Sequence, residues 1–370
     1  MKNHLFSFVI FFGLISISFS QETNPHSIYE EFARFVSGKE IPALVREKLN
    51  DTTFWVNYQK KIIEDWQNLD STRLKVIVEW RETEIAPYIT ENLPVFYPFS
   101  GPDFLHCWSF FPNSDNYIFL AQEMLGKIPD FSKMNQKSIS EYLDKFYYSI
   151  RDIYMRSYFI TARMNTDLHN EKISGVLPVL LFFMSMTNHE IIDVKYEYVD
   201  SRAEIRPLAK ISGKFSASEC VTIKFKEYNS NITKTLRYFR CDLSNDGLNA
   251  APGFKKYLEN IGDRNTYVKS ASYLLHYETF SAIRNIILKY SKSILQDDTG
   301  IPFKYFTADK WEVRIYGKYV KPIADFPNPG LFQKDLDKYY HESENLKSLP
   351  FSIGYHWRSG DQNQLFIIRK

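Results

Sequence analysis

Tyr97-Pro98-Phe99-Ser100-Gly101-Pro102-Asp103 is the stretch on which the rest of the chain turns. The apolar run Pro94-Val95-Phe96-Tyr97 precedes it. Phe104-Leu105-His106-Cys107-Trp108-Ser109-Phe110-Phe111 follows, so a short polar set is pinned between two stretches that read as core. Pro102 suits the first position of a helix, where its missing N–H costs nothing. Asp103 then falls in the first turn, facing the positive end of the helix dipole. Gly101, standing before a proline, is expected to be extended. The stretch predicts a strand, a tight turn and a short helix, with Ser100 and Asp103 at the mouth. That shape suits a site without naming a reaction.

The N-terminus predicts an address. Lys2 supplies a basic start, Leu5 to Ile17 an apolar run, and Ser18-Phe19-Ser20 small residues around a cleavage point before Gln21. Residues 1–20 therefore read as a signal peptide, and the mature chain as an exported periplasmic or extracellular protein. Val176 to Met186 is the longest later apolar run, too short for a membrane span and interrupted by Pro178.

Lys and Arg number 46 against 44 Asp and Glu, a balance that leaves no electrostatic footprint for nucleic acid or an anionic membrane. Thirty Phe and 25 Tyr fill a sizeable core. The three cysteines, Cys107, Cys220 and Cys241, contain no C-x-x-C pair.

Residues 21–93 read as a helical N-terminal region. Phe54, Tyr58, Ile62 and Trp66 recur at fours, and Pro87 stops a further helix carrying Ile77 and Trp80. Residues 94–370 read as an α+β domain, with 21–93 either part of it or separate. Long helices are expected over Ile139 to Met164, Gly175 to Met186 and Lys269 to Tyr290. Strands are expected over Ile191 to Tyr198, Lys210 to Phe215, Val221 to Tyr228, Lys234 to Cys241, Trp311 to Tyr319, Phe351 to Trp357 and Leu365 to Ile368. The expected fold class is α+β: a helical first third, then a mixed, mainly antiparallel sheet with packed helices.

Asn229-Ser230-Asn231 joins two of these strands as a hairpin. If Ser230-Asn231 is a two-residue loop, Cys220 and Cys241 are equidistant from it. They then face each other at about 4.5–5.5 Å between Cα atoms, within disulfide range. A loop one residue longer turns the two side chains to opposite faces.

Two stretches carry candidate chemistry. Phe280, Ile283, Ile287 and Tyr290 form a core-facing stripe, and its extension backwards passes through His276, Ser272 and Lys269. A base, a hydroxyl and a cation on one buried line need partners. Either they form a reactive cluster with Ser100 and Asp103, or His276 is a hydrogen-bonded core histidine and Lys269 reaches solvent. The second stretch is Gln296-Asp297-Asp298-Thr299-Gly300, whose adjacent carboxylates can share a ligand or split their pKa values only in a loop. His189-Glu190 lacks the second histidine of a zincin helix, and no P-loop, Rossmann fingerprint or G-x-S-x-G is present. Asp103 and His106 alone fall short of a metal site. The sequence names no metal, cofactor or partner.

Tyr97 to Asp103, Tyr238-Phe239-Arg240-Cys241-Asp242-Leu243-Ser244, Lys269 to His276 and Gln296 to Pro302 together resemble a family of exported bacterial proteins with no assigned activity. The resemblance covers roughly Val95 to Trp357. It implies export and one shared architecture, and carries over no catalytic residues. Two functions follow as expectations: a non-enzymatic envelope or secreted binding protein, slightly favoured, or an envelope hydrolase built on the Ser/Asp/His/Lys cluster.

Overall fold

The computed structural model describes residues 26–156, 174–211, 218–357 apart from 325, 327 and 345, and 360–370. The expected signal peptide, residues 1–20, lies outside the described residues. Helix α1 (Ile28–Val36) begins at Ser27, whose hydroxyl accepts the amide of Glu30 at 3.1 Å. After the short α2 (Ala43–Arg46), α3 (Thr53–Leu69) and α4 (Lys75–Glu84) form one continuous rod through a π-helical turn at Asp70–Leu74.

The expected strand, turn and helix follow as β1 (Val95–Pro98) and α5 (Phe104–Phe110). The turn is tighter than expected. Gly101 lies in the left-handed region (φ 50°) rather than extended, and Asp103 caps the helix instead of opening its first turn. Strand β2 (Asn116–Ala121) leads to α6 (Gln136–Arg156) and to α7 (Leu177–Met186), apolar on every side and buried along nine of its ten residues. The continuation expected for α6, residues 157–164, lies outside the described residues.

Strands β3 (His189–Val199), β4 (Ile205–Pro207), β5 (Glu219–Glu227) and β6 (Lys234–Arg240) form an antiparallel run. Of the strand expected at Lys210–Phe215, residues 212–215 lie outside the described residues. Helices α8 (Asn245–Ala250) and α9 (Pro252–Asn260) then lead to β7 (Arg264–Val268). Helix α10 (Ser281–Tyr290) runs into β8 (Ser291–Gln296), and β9 (Trp311–Gly317), α11 (Lys334–Glu342) and β10 (Asn363–Arg369) complete the chain.

All ten strands belong to one sheet, ordered β4-β3-β5-β6-β2-β1-β7-β8-β10-β9. The protein is α+β, with a helical N-terminal region and helices packed around a mixed sheet. The antiparallel pairs lie in the two flanks, while β6, β2, β1, β7 and β8 at the centre are mutually parallel. Taken in chain order, these five read three-two-one-four-five, the doubly wound arrangement.

Strands β7 and β8 escape the sequence pattern because polar residues line their contact. Thr266 Oγ1 lies 2.7 Å from Ser291 Oγ, and Ser293 donates to Asn265 Oδ1 at 2.7 Å. Such pairs satisfy polar groups that an apolar-period search reads as exposed.

The two faces of the sheet carry two apolar cores. One packs α1, α3, α4, α5, α6 and α7, so the N-terminal helices share a core with the sheet; Trp80 meets Phe110, Tyr316 and Phe351 edge-on. The other packs α8, α9, α10 and α11.

Three further expectations are corrected. Lys269–Phe280 is not helical: it leaves β7 as a loop with left-handed Ser270, Ser272 and Tyr273, followed by single 3-10 turns at Leu274–His276 and Glu278–Phe280. Phe351–Trp357 forms no strand. The cysteines are unbridged: Cys220 pairs with Phe239 rather than Cys241, and all three thiols are free. The turn beyond the Phe225–Lys234 pair is longer than two residues. It centres the hairpin one position earlier, leaving Cys241 two residues past the partner of Cys220.

Candidate functional site

Five parallel strands end at one edge of the sheet. The segments leaving them carry Ser100 and Asp103 after β1, Glu123 after β2, Cys241 after β6, Lys269 after β7 and Asp297 and Asp298 after β8. From β1 the chain passes through α5 on one face; from β7 it passes to α10 on the other. Neighbouring strands whose connections diverge leave a crevice between them, the usual ligand position in doubly wound sheets.

Asp103 and Lys269 meet in that crevice as an ion pair, each side chain 2 % exposed. Asp103 Oδ2 also accepts from the Tyr97 hydroxyl at 3.0 Å, and Oδ1 accepts the His106 amide at 3.2 Å. His106 Nδ1 lies 2.8 Å from Asp103 Oδ1 and 3.3 Å from Lys269 Nζ. Burial pushes the Asp103 carboxyl up, but His106 and the Lys269 ammonium outweigh it and hold the group well below the carboxylate range. Burial lowers the Lys269 ammonium despite Asp103, and takes His106 down to about 4, so the imidazole is neutral at pH 7. Its Nε2 has no hydrogen-bond partner among the described residues.

The pair opens onto a cleft of about 140 Å³. Ser100, 4 % exposed, lines it, with its amide bonded to the Leu120 carbonyl at 3.1 Å and its Oγ unpartnered among the described residues. Phe99 is held at φ 59°, strain that fixes where Ser100 points. Ser272 stands across the cleft, its hydroxyl 2.9 Å from that of Tyr355. Phe99 and Phe280 form an edge-on aromatic wall with centroids 6.0 Å apart.

His276 does not join this group. Its ring packs edge-on against Tyr273 at 5.3 Å and feels Asp298; burial lowers it to about 4. The cause is the lost helix: without α-helical spacing, His276 no longer shares a line with Lys269 and Ser272.

Asp297 and Asp298 form a separate buried cluster. Asp297 accepts from the Ser270 amide at 2.9 Å and the Thr299 amide at 3.1 Å; burial, with Asp298 beside it, raises it to about 6. Asp298 accepts from Tyr273 at 2.8 Å and Asn363 at 3.1 Å, and lies 3.5 Å from His356 Nε2. Through Ser270, this cluster braces the loop that carries Lys269. Among the described residues, no group of three or more His, Cys, Asp or Glu side chains is placed to hold a metal ion.

Sequence reasoning missed Glu123, Tyr97 and Tyr355 at the cleft. Glu123 had a signal, an acid just beyond an apolar strand; Tyr355 had none, because it comes from an irregular loop far along the chain.

Fold and site together define an α+β protein with a crevice at the carboxyl edge of a doubly wound parallel core. Comparison with models of known families, with curated proteins and with solved structures finds nothing that matches this chain.

Proposed function

We propose that this is an exported protein that binds a small molecule in the crevice between β1 and β7. The observation that carries this reading is the buried Asp103–Lys269 pair at the divergence of the two connections. Desolvating two charges costs several kcal/mol per ion, a cost that a plain packing site avoids with apolar residues. The cleft combines apolar walls with a few convergent polar groups, as small-molecule sites do.

The test is a thermal-shift screen of the purified protein against a metabolite panel, repeated with Gln122→Trp. Gln122 is an exposed residue lining the cleft, so an indole there obstructs the cavity without disturbing the core. A compound that raises Tm for the parent and not for Gln122→Trp supports the reading. No shift with any compound, or equal shifts in both proteins, overturns it.

A hydrolase needs a base on its nucleophile, and Ser100 Oγ has no partner among the described residues. Ester, peptide and phosphate substrates should therefore go unturned; turnover abolished by Ser100→Ala would replace binding with catalysis. Export is tested separately: N-terminal sequencing of the secreted form should begin near Gln21, and a soluble form retaining Met1 would refute it.

A further inference from the structure

Resting on the reading of the crevice as a binding site, we propose that its ligand is an uncharged molecule with one aromatic ring and one hydroxyl group, which Ser100 and Ser270 hold between them. The two serines occupy matching positions on neighbouring strands. The β1–β7 ladder pairs Val95 with Asn265 and Phe96 with Thr266, and Tyr97 and Tyr267 continue it with ring centroids 4.6 Å apart. Ser100 stands four residues beyond Phe96, and Ser270 four beyond Thr266. Both line the cleft, and both Oγ atoms are buried without a hydrogen-bond partner among the described residues. Buried hydroxyls are seldom left in that state. The backbone at each serine is already tied down, the Ser100 amide donating to the Leu120 carbonyl at 3.1 Å and the Ser270 amide to Asp297 at 2.9 Å. A ligand hydroxyl both donates and accepts, so one such group can serve the two serines together.

The remaining walls set size and charge. The cleft measures about 140 Å³, and a cavity of about 150 Å³ admits benzene. One ring therefore fills it. Phe99 and Phe280, both half-buried, offer that ring an aromatic wall, with Leu243 and Leu274 also in the lining. Charge is disfavoured because the charged lining groups are already engaged. Asp103 and Lys269 pair with one another, and Glu123 accepts from the Tyr238 hydroxyl at 3.2 Å and has a further interaction. An ionic ligand would break one of these contacts or enter without a counter-charge, and either course carries a heavy desolvation cost. A neutral ligand leaves all of them in place.

The probes are phenol and benzyl alcohol, set against toluene, benzoate and benzylamine, which lack the hydroxyl or carry a charge. Ligand-observed NMR titrations give their dissociation constants on the purified protein, on Ser100→Ala and on Ser270→Ala. At least one of the two hydroxyl compounds should bind. Toluene should bind about tenfold weaker, the worth of a lost hydrogen bond, and benzoate and benzylamine weaker by at least as much. Each serine variant should weaken the hydroxyl compound by about tenfold and leave toluene unchanged, a split that a merely structural role does not produce. If a variant fails to fold, the comparison of ligands on the parent protein decides alone. Toluene or either ion binding as tightly as the hydroxyl compounds overturns the inference, and so do folded variants that bind them like the parent. Failure of both hydroxyl compounds, while another compound shifts Tm in a Gln122→Trp-sensitive way, also overturns it and leaves the crevice standing as a site for something else. Silence from every compound removes both readings together.

Discussion

Asp103 serves as helix cap, as hydrogen-bond acceptor for Tyr97 and as counter-ion for Lys269, so its replacement strips three partners at once. Asp103→Asn keeps most of the shape but leaves an ammonium buried beside a neutral amide. Breaking a buried pair from one side costs about 3–5 kcal/mol. Urea denaturation should show a loss of that order, and adding Lys269→Met should recover part of it. A double variant as unstable as the sum of the singles would show that the two groups are not coupled. A second residue-scale expectation concerns the thiols: the denatured chain should titrate three, since no cysteine is bridged. Fewer than three would mean a bridge absent from this fold. Ser100, Asp103, Lys269 and Ser272 stand out in the sequence as polar letters among apolar neighbours, and all four line the cleft. His276 has the same appearance and lies elsewhere. Its placement depends on loop dihedrals at Ser270, Ser272 and Tyr273, which no side-chain periodicity records.

At the scale of elements, the amphipathic helices and the alternating strands β3, β5, β6, β9 and β10 announce themselves by period. Beyond β6, the centre of the sheet does not. Strands β1 and β2 show only as short apolar runs, and β7 and β8 hide behind Thr266, Ser291, Asn265 and Ser293, which satisfy one another across the ladder. A pattern search thus finds the antiparallel flanks with β6, reads β1 and β2 from their apolar runs, and misses β7 and β8 of the parallel core. The turn joining β3 to β4 allows a direct test of backbone strain. Asp200 accepts the amides of Arg202 and Glu204, both at 2.9 Å, and the fold holds Ala203 at φ 70°. Left-handed alanine costs about 1–2 kcal/mol, part of which glycine returns to the unfolded chain as entropy. Ala203→Gly should stabilise by about 0.5–1 kcal/mol, read as a higher urea midpoint with an unchanged slope. A lower midpoint would mean that the turn is not strained.

Across the whole molecule, His106, His189 and His276 are each held down to about 4, in every case chiefly by burial. Histidine in the unfolded chain titrates near 6.5, so between about pH 6.5 and 4 the unfolded state binds more protons and stability falls as pH falls. Asp297, raised to about 6, works the other way, taking up a proton in the folded state first. His356, also raised, stabilises below its own pKa and loses that contribution as pH rises through it. Three lowered histidines against one raised carboxylate leave a net loss, at most about 2–3 kcal/mol per pH unit. The urea midpoint should be lower at pH 5 than at pH 7; a midpoint that rose would show that the histidines are not buried neutral. The pairing of β1 with β7 has a consequence in time. Val95 finds Asn265, and Asp103 finds Lys269, only after most of the chain has been synthesised. Contacts so distant along the chain are slow to close and come late on a folding route. During synthesis, β1 therefore waits as an unpaired apolar edge on its β7 side, and any chain released before Lys269 carries a lone buried acid and no crevice. The crevice closes in one step, when β7 docks on β1 and brings Lys269 to Asp103.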